Sequence, residues 1–369
     1  MAMSGGPAIR AREEGAPTQV DARELLLRRM CDLAIMPPGK LTSHERGLVD
    51  TVVSSAVVRL DVASRRRLGE RIAQLPEGPP ELTLVLARDE IEVAATVLKN
   101  NLGLQDSDLA QIVRDFGPEH HMAIAERKSL PGIVVDALVE MAAPEAICRM
   151  LANFSAELSR RALEILVRRS ATEAAYQPLL LARPEMNIRA AQLMFWWVSS
   201  PARSEILVRY SVERRMMHNA LDDVLEAGLA ANVTDEALQV AFSLVRPPVV
   251  SSRAQIQRLI DQANRHEREG FIAEIVYAGH VRPETAYRIF SDLGGEPIAV
   301  FAKAIGMTRA EFADLLGALA GFRGIDFTDK HIAERISTVF DLISNDRADF
   351  VLHCWDWAIS AEAQMPIEN

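Results

Sequence analysis

The chain has 369 residues, is 49% hydrophobic but only 5% aromatic, and sets 51 acidic against 41 basic side chains for a formal net charge of -10. That balance opposes nonspecific attraction to a phosphate backbone, so nucleic-acid binding would need a local basic patch. No apolar run reaches the roughly 18 to 20 residues of a membrane helix, and the opening MAMSGGPAIRAREEGAPTQV lacks the apolar core of a secretory signal, which leads us to expect a soluble, cytoplasmic protein.

Residues 1–20 mix Gly, Pro and charge without periodicity and read as a disordered tail. A first helix is predicted from Asp21 to just before Pro37-Pro38-Gly39. Thr42 and Glu45 have the spacing of a capping box, opening a helix to about Val58, and Asp61 is placed to cap the next, which ends before Pro76. A recurrent section follows over residues 81–245. Leu86-Ala87-Arg88 is echoed by Ile124-Ala125-Glu126-Arg127, Leu151-Ala152-Asn153 and Leu181-Ala182-Arg183, each a polar or Pro-containing turn before an apolar-periodic helix. Register holds inside those helices: Val93 and Leu98 follow Arg88 at the same spacing as Leu158 and Leu163 follow Asn153, and Ile188 and Leu193 follow Arg183. The copy after Arg127 is one residue longer, which aligns Leu138 and puts Pro131 near a first turn.

Copies recur about every 25 to 40 residues, the range of helical hairpins that cannot bury their apolar faces alone and must stack. The uneven spacing predicts an irregular α-solenoid. Pro247-Pro248 interrupts the pattern and marks the expected boundary between a solenoid over residues 21–246 and a smaller C-terminal helical domain over 253–362. Beyond it, helices are predicted at 253–269, 271–278, 283–293, 296–305, 309–319, 328–343 and 347–362, with Gly279, Gly294, Gly306 and Gly321 where helix ends call for a left-handed residue. Without sustained alternation, no sheet is expected, and the fold class is all-α.

The LA-x turns, the AxRxxLP-like segment at residues 125–131 and the helical C-terminal part together resemble a bacterial family of HEAT-like repeat proteins catalogued as a domain of unknown function, over roughly residues 45–360. The resemblance implies HEAT-like hairpins and a regulatory or scaffolding role, and it carries no catalytic residues.

Chemistry-bearing patterns are sparse. Adjacent His120 and His121, after Gly117-Pro118-Glu119, point about 100° apart on a helix and cannot readily share a metal, so an exposed helix start is expected there. His353-Cys354 fails the same geometric test, and Cys31, Cys148 and Cys354 form no CxxC pair, so reduced, mostly buried thiols are expected. Neither GxSxG, GxGxxG nor GxxxxGK[ST] occurs. Arg160-Arg161 and Arg168-Arg169 could form a phosphate-contacting ridge, but Glu157 and Glu164 stand four residues before Arg161 and Arg168, the favourable order for helix ion pairs. Arg65-Arg66-Arg67 likewise has Asp61 and Glu70 nearby. Residues 301–315 have helix-turn-helix spacing about Gly306, but Glu311 and Asp314 make a poor groove-reading surface beside Arg309. Arg189, Gln192 and Trp196 fall at i, i+3 and i+7 on the polar side of a helix, where a tryptophan suits an interface anchor; packing beneath a neighbouring repeat or the connector is the competing expectation. Trp355 and Trp357 are placed to cap the open end of a stack.

The expectation is therefore a non-enzymatic helical scaffold that binds a protein partner on an elongated surface, with Arg189, Gln192 and Trp196 as candidate contacts and no catalytic, cofactor or metal residues. Nucleic-acid binding through arginine-rich faces is the alternative, and an enzyme using His120 and His121 the third reading.

Overall fold

The computed structural model describes residues 19–36, 40–75, 78–213, 250–323 and 330–363. The described residues are all-helical, with no strand and a single isolated parallel bridge between Leu130 and Ala156. The chain divides into two compact units, Met1–Ala162 and Leu163–Asn369. The expected boundary at Pro247-Pro248 lies outside the described residues, as does the expected tail through residue 18.

The first unit holds α1 (Gln19–Ala34), α2 (Ser43–Ala56), α3 (Val62–Ile72), α4 (Pro80–Ala87), α5 (Ile91–Asn100), α6 (Asp106–Asp115), α7 (Pro118–Ala125), α8 (Gly132–Met141) and α9 (Pro144–Ala152). Local signals set most of these ends. Thr42 and Glu45 form the reciprocal capping box at α2, and Asp61 accepts from the Ser64 N–H to cap α3. Pro80, Pro118 and Pro144 open α4, α7 and α9, where a missing N–H removes no helix bond. The recurring turns end helices: Arg88, Glu126 and Asn153 are the C-cap residues of α4, α7 and α9.

Packing runs in steps of two. Helix α3 packs on α5, α5 on α7 and α7 on α9, while α2 packs on α4 and α6 on α8. The aligned positions Val93, Leu98 and Leu138 are fully buried in this packing, each stabilising it by roughly 2 kcal/mol. Leu158 departs from the expected register, because it precedes the next helix, α10 (Arg160–Arg169), instead of lying within it.

The second unit contains α11 (Tyr176–Ala182), α12 (Ile188–Met194), α13 (Ser200–Arg209), α14 (Arg253–Asn264), α15 (Arg268–Gly279), α16 (Pro283–Ser291), α17 (Glu296–Ala304), α18 (Arg309–Arg323), α19 (Lys330–Leu342) and α20 (Asn345–Ala363). Arg183, at the fourth recurring turn, is the C-cap of α11. Helix α20 is central: α12, α16 and α17 all pack on it, and its Trp355 is fully buried with Phe195 and Phe301.

Of the four glycines expected to be left-handed, Gly306 is, at φ 83°. Gly279 is helical instead, and His280 takes the left-handed cap at φ 51°. The reason is packing, since a Cβ on Gly279 would come within 3.1 Å of Phe301 and 3.2 Å of Leu352. At the α16–α17 turn the left-handed residue is Gly295, not Gly294, and Gly321 lies inside α18.

Candidate interaction site

A helix leaves its last carbonyl oxygens without intrahelical partners, and buried ones must be met from elsewhere. In the first unit they are met from turns about 26 to 29 positions further along the chain. Asn101 Nδ2 donates to the Ile72 carbonyl at the end of α3 at 3.0 Å. The Arg127 guanidinium donates to the carbonyls of Leu98 and Asn101 at the end of α5, the second at 2.7 Å. Asn153 Nδ2 donates in turn to the Arg127 carbonyl at 2.6 Å, and Ser155 Oγ to that of Lys128. Successive links from Ile72 to Asn101, Asn101 to Arg127 and Arg127 to Asn153 span 29, 26 and 26 positions. The second unit has a link of the same kind, from Arg209 to the Leu181 carbonyl across 28 positions.

Arg127 is 7% exposed and touches no carboxylate among the described residues. Burial pulls its pKa below the ordinary arginine value, with Asp106 opposing, yet a guanidinium stays charged. Its charge lies at a helix C-terminus, the end where the dipole favours a cation. Outside it, Glu126 bonds Lys99 at 2.8 Å and Arg149 at 3.0 Å. The Lys99 hydrogen bond is the largest influence on Glu126 and, with the charges of Lys99 and Arg149, holds its carboxyl below the usual glutamate range against a smaller opposing effect of burial.

Beside these side chains lies an open recess of about 240 Å³ lined by Ala125, Glu126, Arg127, Lys128, Arg149, Ala152 and Asn153. Phe154, next in sequence, is 64% exposed. Two cationic side chains, Lys99 and Arg149, thus hold one carboxylate, the exposed Lys128 lines the same recess, and the exposed Phe154 follows the lining residue Asn153 in sequence. That chemistry suits an acidic, partly apolar ligand surface. Among the described residues no three His, Cys, Asp or Glu side chains are grouped to hold a metal ion.

The candidate contacts Arg189, Gln192 and Trp196 meet this chain's own last helix. Gln192 is fully buried, donating to the Tyr210 carbonyl at 2.9 Å and accepting from Trp355 Nε1 at 3.0 Å. Trp196 is half-buried, its ring 5.0 Å from that of Trp355, and Arg189 stacks over Trp357 at 5.2 Å. Of the stripe, Gln192 is therefore part of an internal seam, because α12 packs on α20 and Gln192 satisfies two buried groups there, while Arg189 and Trp196 keep part of their surface exposed. Helix α12 also ends at Met194, so Trp196 sits beyond the helix that the stripe presumed.

Beside this seam lies a buried ionic node that no local pattern announces. Arg203, 7% exposed, bonds Asp292 at 2.7 Å and Glu296 at 2.8 Å, and Arg335 closes on Glu296 at 3.1 Å. Burial acts most strongly on the Arg203 guanidinium and lowers its pKa, but Asp292 and Glu296 together outweigh it and leave the pKa raised. Gly294 makes room for the pair, as a Cβ there would stand 2.1 Å from Glu296 Oε2 and 2.6 Å from Arg203 Nη1.

His120 and His121 are buried, contrary to the exposed start expected at Pro118. Their Nε2 atoms reach different carbonyls, Asp89 at 3.0 Å and Val113 at 2.8 Å, and His120 stacks on Phe116. Arg161 pairs with Glu140 at 3.7 Å; Glu157 precedes α10, so the expected helix pair cannot form. Arg65 binds Asp89 and Glu90, and Arg66 pairs with Glu70. On the helix after Gly306, Arg309 pairs with Asp341, and Glu311 caps through Thr308 and binds Arg253. Missed from the sequence were Arg127's bonds, Phe154 and Arg203; the arginine inside AxRxxLP was the one visible signal.

Fold and site together define an all-α protein of packed short helices with a polar turn edge. A model of the family described as an uncharacterised protein conserved in bacteria, DUF2336, matches residues 93–353, and the chain belongs to that family. No curated protein and no solved structure matches it. No helix of the described residues is long and apolar enough to cross a membrane.

Proposed function

We propose that the protein is a cytoplasmic, non-enzymatic scaffold whose hairpins act as HEAT-like repeats of an irregular solenoid within the first unit, and that it binds a protein partner at the turn edge formed by the ends of α5, α7 and α9. The observation that carries this reading is the run of side-chain bonds from the turns after α5, α7 and α9 back to earlier helix ends and turns, through Asn101, Arg127 and Asn153. Those bonds hold the turns in a fixed order, which is the rigidity a binding edge needs to avoid losing affinity to loop ordering. Phe154 is the apolar anchor, and Lys99, Lys128 and Arg149 select an acidic segment around it.

A photo-crosslinking residue at Phe154, compared with one at the exposed Val208, tests the reading in the native bacterium. The expected result is one dominant protein adduct from position 154 that is absent from position 208. Equal adducts from both positions, or none from 154, would overturn it.

A further inference from the structure

The three consecutive arginines of α3 meet different surroundings. Arg65 binds Asp89 and Glu90, each at 2.6 Å, and Arg66 reaches Glu70 at 3.6 Å. Arg67 is exposed and has no carboxylate partner among the described residues. It lines instead an open recess of about 220 Å³ between α1 and α3. Helical spacing builds that recess: Arg28, Cys31 and Asp32 stand at i, i+3 and i+4 on α1, and Ser64, Arg67, Leu68 and Arg71 at i, i+3, i+4 and i+7 on α3, so one side of each helix lines the groove. Two bonds cross it, Arg28 Nη2 to Ser64 Oγ at 3.3 Å and Arg71 Nη1 to Asp32 Oδ1 at 2.7 Å, and Arg67 lies between them along α3. Leu60, Leu68 and Cys31 are buried and form an apolar floor.

We propose that this recess binds a phosphoryl dianion, as free phosphate or as the phosphate end of a small ester. Three guanidinium charges, Arg28, Arg67 and Arg71, against the one carboxylate of Asp32 leave the lining two charges positive, in a chain whose net charge is -10. Like charges held along one groove repel, and a bound dianion relieves them. The guanidinium fork matches phosphate oxygens through two parallel N–H bonds, and Arg67 spends none of its donors on a carboxylate. A dianion is favoured over a single carboxylate because Arg28 and Arg71, at the two ends of the groove, give it further cations to engage. Size narrows the ligand further: the recess is smaller than the roughly 300 to 1,000 Å³ of pockets that enclose a drug-sized molecule, so it takes a headgroup. The Cys31 thiol does not compete as an anion, since burial and then the charge of Asp32 push its pKa up against a smaller pull from Arg71. None of these residues belongs to the turn edge, so the proposal stands independently of the protein partner.

Isothermal titration calorimetry of the full chain at constant ionic strength tests it, with inorganic phosphate and phenyl phosphate as probes, R67M as the site variant and R66M as the control, because Arg66 does not line the recess. The expected result is saturable binding of at least one probe to the parent and to R66M, and at least about fivefold weaker binding to R67M with unchanged helical circular dichroism. R28M, with the same expectation, serves if R67M loses helicity. Phenyl phosphate binding tighter than inorganic phosphate would identify an ester, its stem on the apolar floor, and the reverse order free phosphate; both support the proposal. A smaller loss in the folded variant, or no saturable binding of either probe up to about 20 mM, a dissociation constant too weak for a built site, overturns it.

Discussion

The Arg127 guanidinium stands 2.7 Å from the carbonyl oxygen of Asn101, joining the turn after α7 to the end of α5 without a carboxylate in contact. A cation in this position works through hydrogen bonds and the helix dipole instead of an ion pair, and its loss strands two carbonyl oxygens together.

Replacing Arg127 by methionine, which keeps much of the stem, is expected to lower the free energy of unfolding by about 3 kcal/mol, as buried acceptors lose their donors. Arg127→Lys should recover less than half of that, because one ammonium group does not reproduce the fork across two carbonyls. Urea denaturation checks both; a loss under about 1 kcal/mol for the methionine variant would remove Arg127 from the structural account.

Trp196→Ala should behave as a core change. The ring packs against Trp355, so a loss of about 2 to 4 kcal/mol is expected, and Gln192→Leu should cost about 2 kcal/mol by leaving the Tyr210 carbonyl and Trp355 Nε1 unpaired. Thermal unfolding of both variants measures this, and an unchanged midpoint would return Trp196 to the surface.

Gly294→Ala should destabilise by about 1 to 3 kcal/mol, since its Cβ would overlap the Arg203–Glu296 pair. Glu296→Gln should cost more, about 3 to 5 kcal/mol, because Arg203 and Arg335 would both lose a charged partner. The order of the two effects in denaturant titrations is the check.

Glu126 gives the molecule an acid-sensitive contact. Its folded pKa lies below its unfolded one, first through the Lys99 hydrogen bond, so its contribution is present above the unfolded value and is lost as pH falls through the folded value. Part-exposed and screened, that contribution is under about 1 kcal/mol. A K99M/R149M variant should therefore show a flatter loss of stability between about pH 6 and about pH 3 than the parent.

Helix ends were legible where their signals are local: Thr42 with Glu45, Asp61 before Ser64, and Pro118 at the start of α7. The recurring turns could be seen, but what their side chains bond could not, since Asn153 finds its acceptor 26 positions away. The same distance problem hid the second unit. Arg203 and Glu296 are 93 positions apart, and Gln192 and Trp355 are 163 apart. A polar side chain on a helix looks exposed until its partner is known, which is why Gln192 and the two histidines were expected at the surface. Glycine misled for a related reason: Gly279 is set by the approach of Phe301, not by the turn beside it.

The most direct test of the turn edge as a binding surface is the calorimetric affinity of the protein partner captured from position 154, measured against the parent chain and an F154A/K128E variant of unchanged melting temperature. The account predicts an affinity at least about 30-fold weaker for the variant, corresponding to about 2 kcal/mol. An unchanged dissociation constant would contradict it.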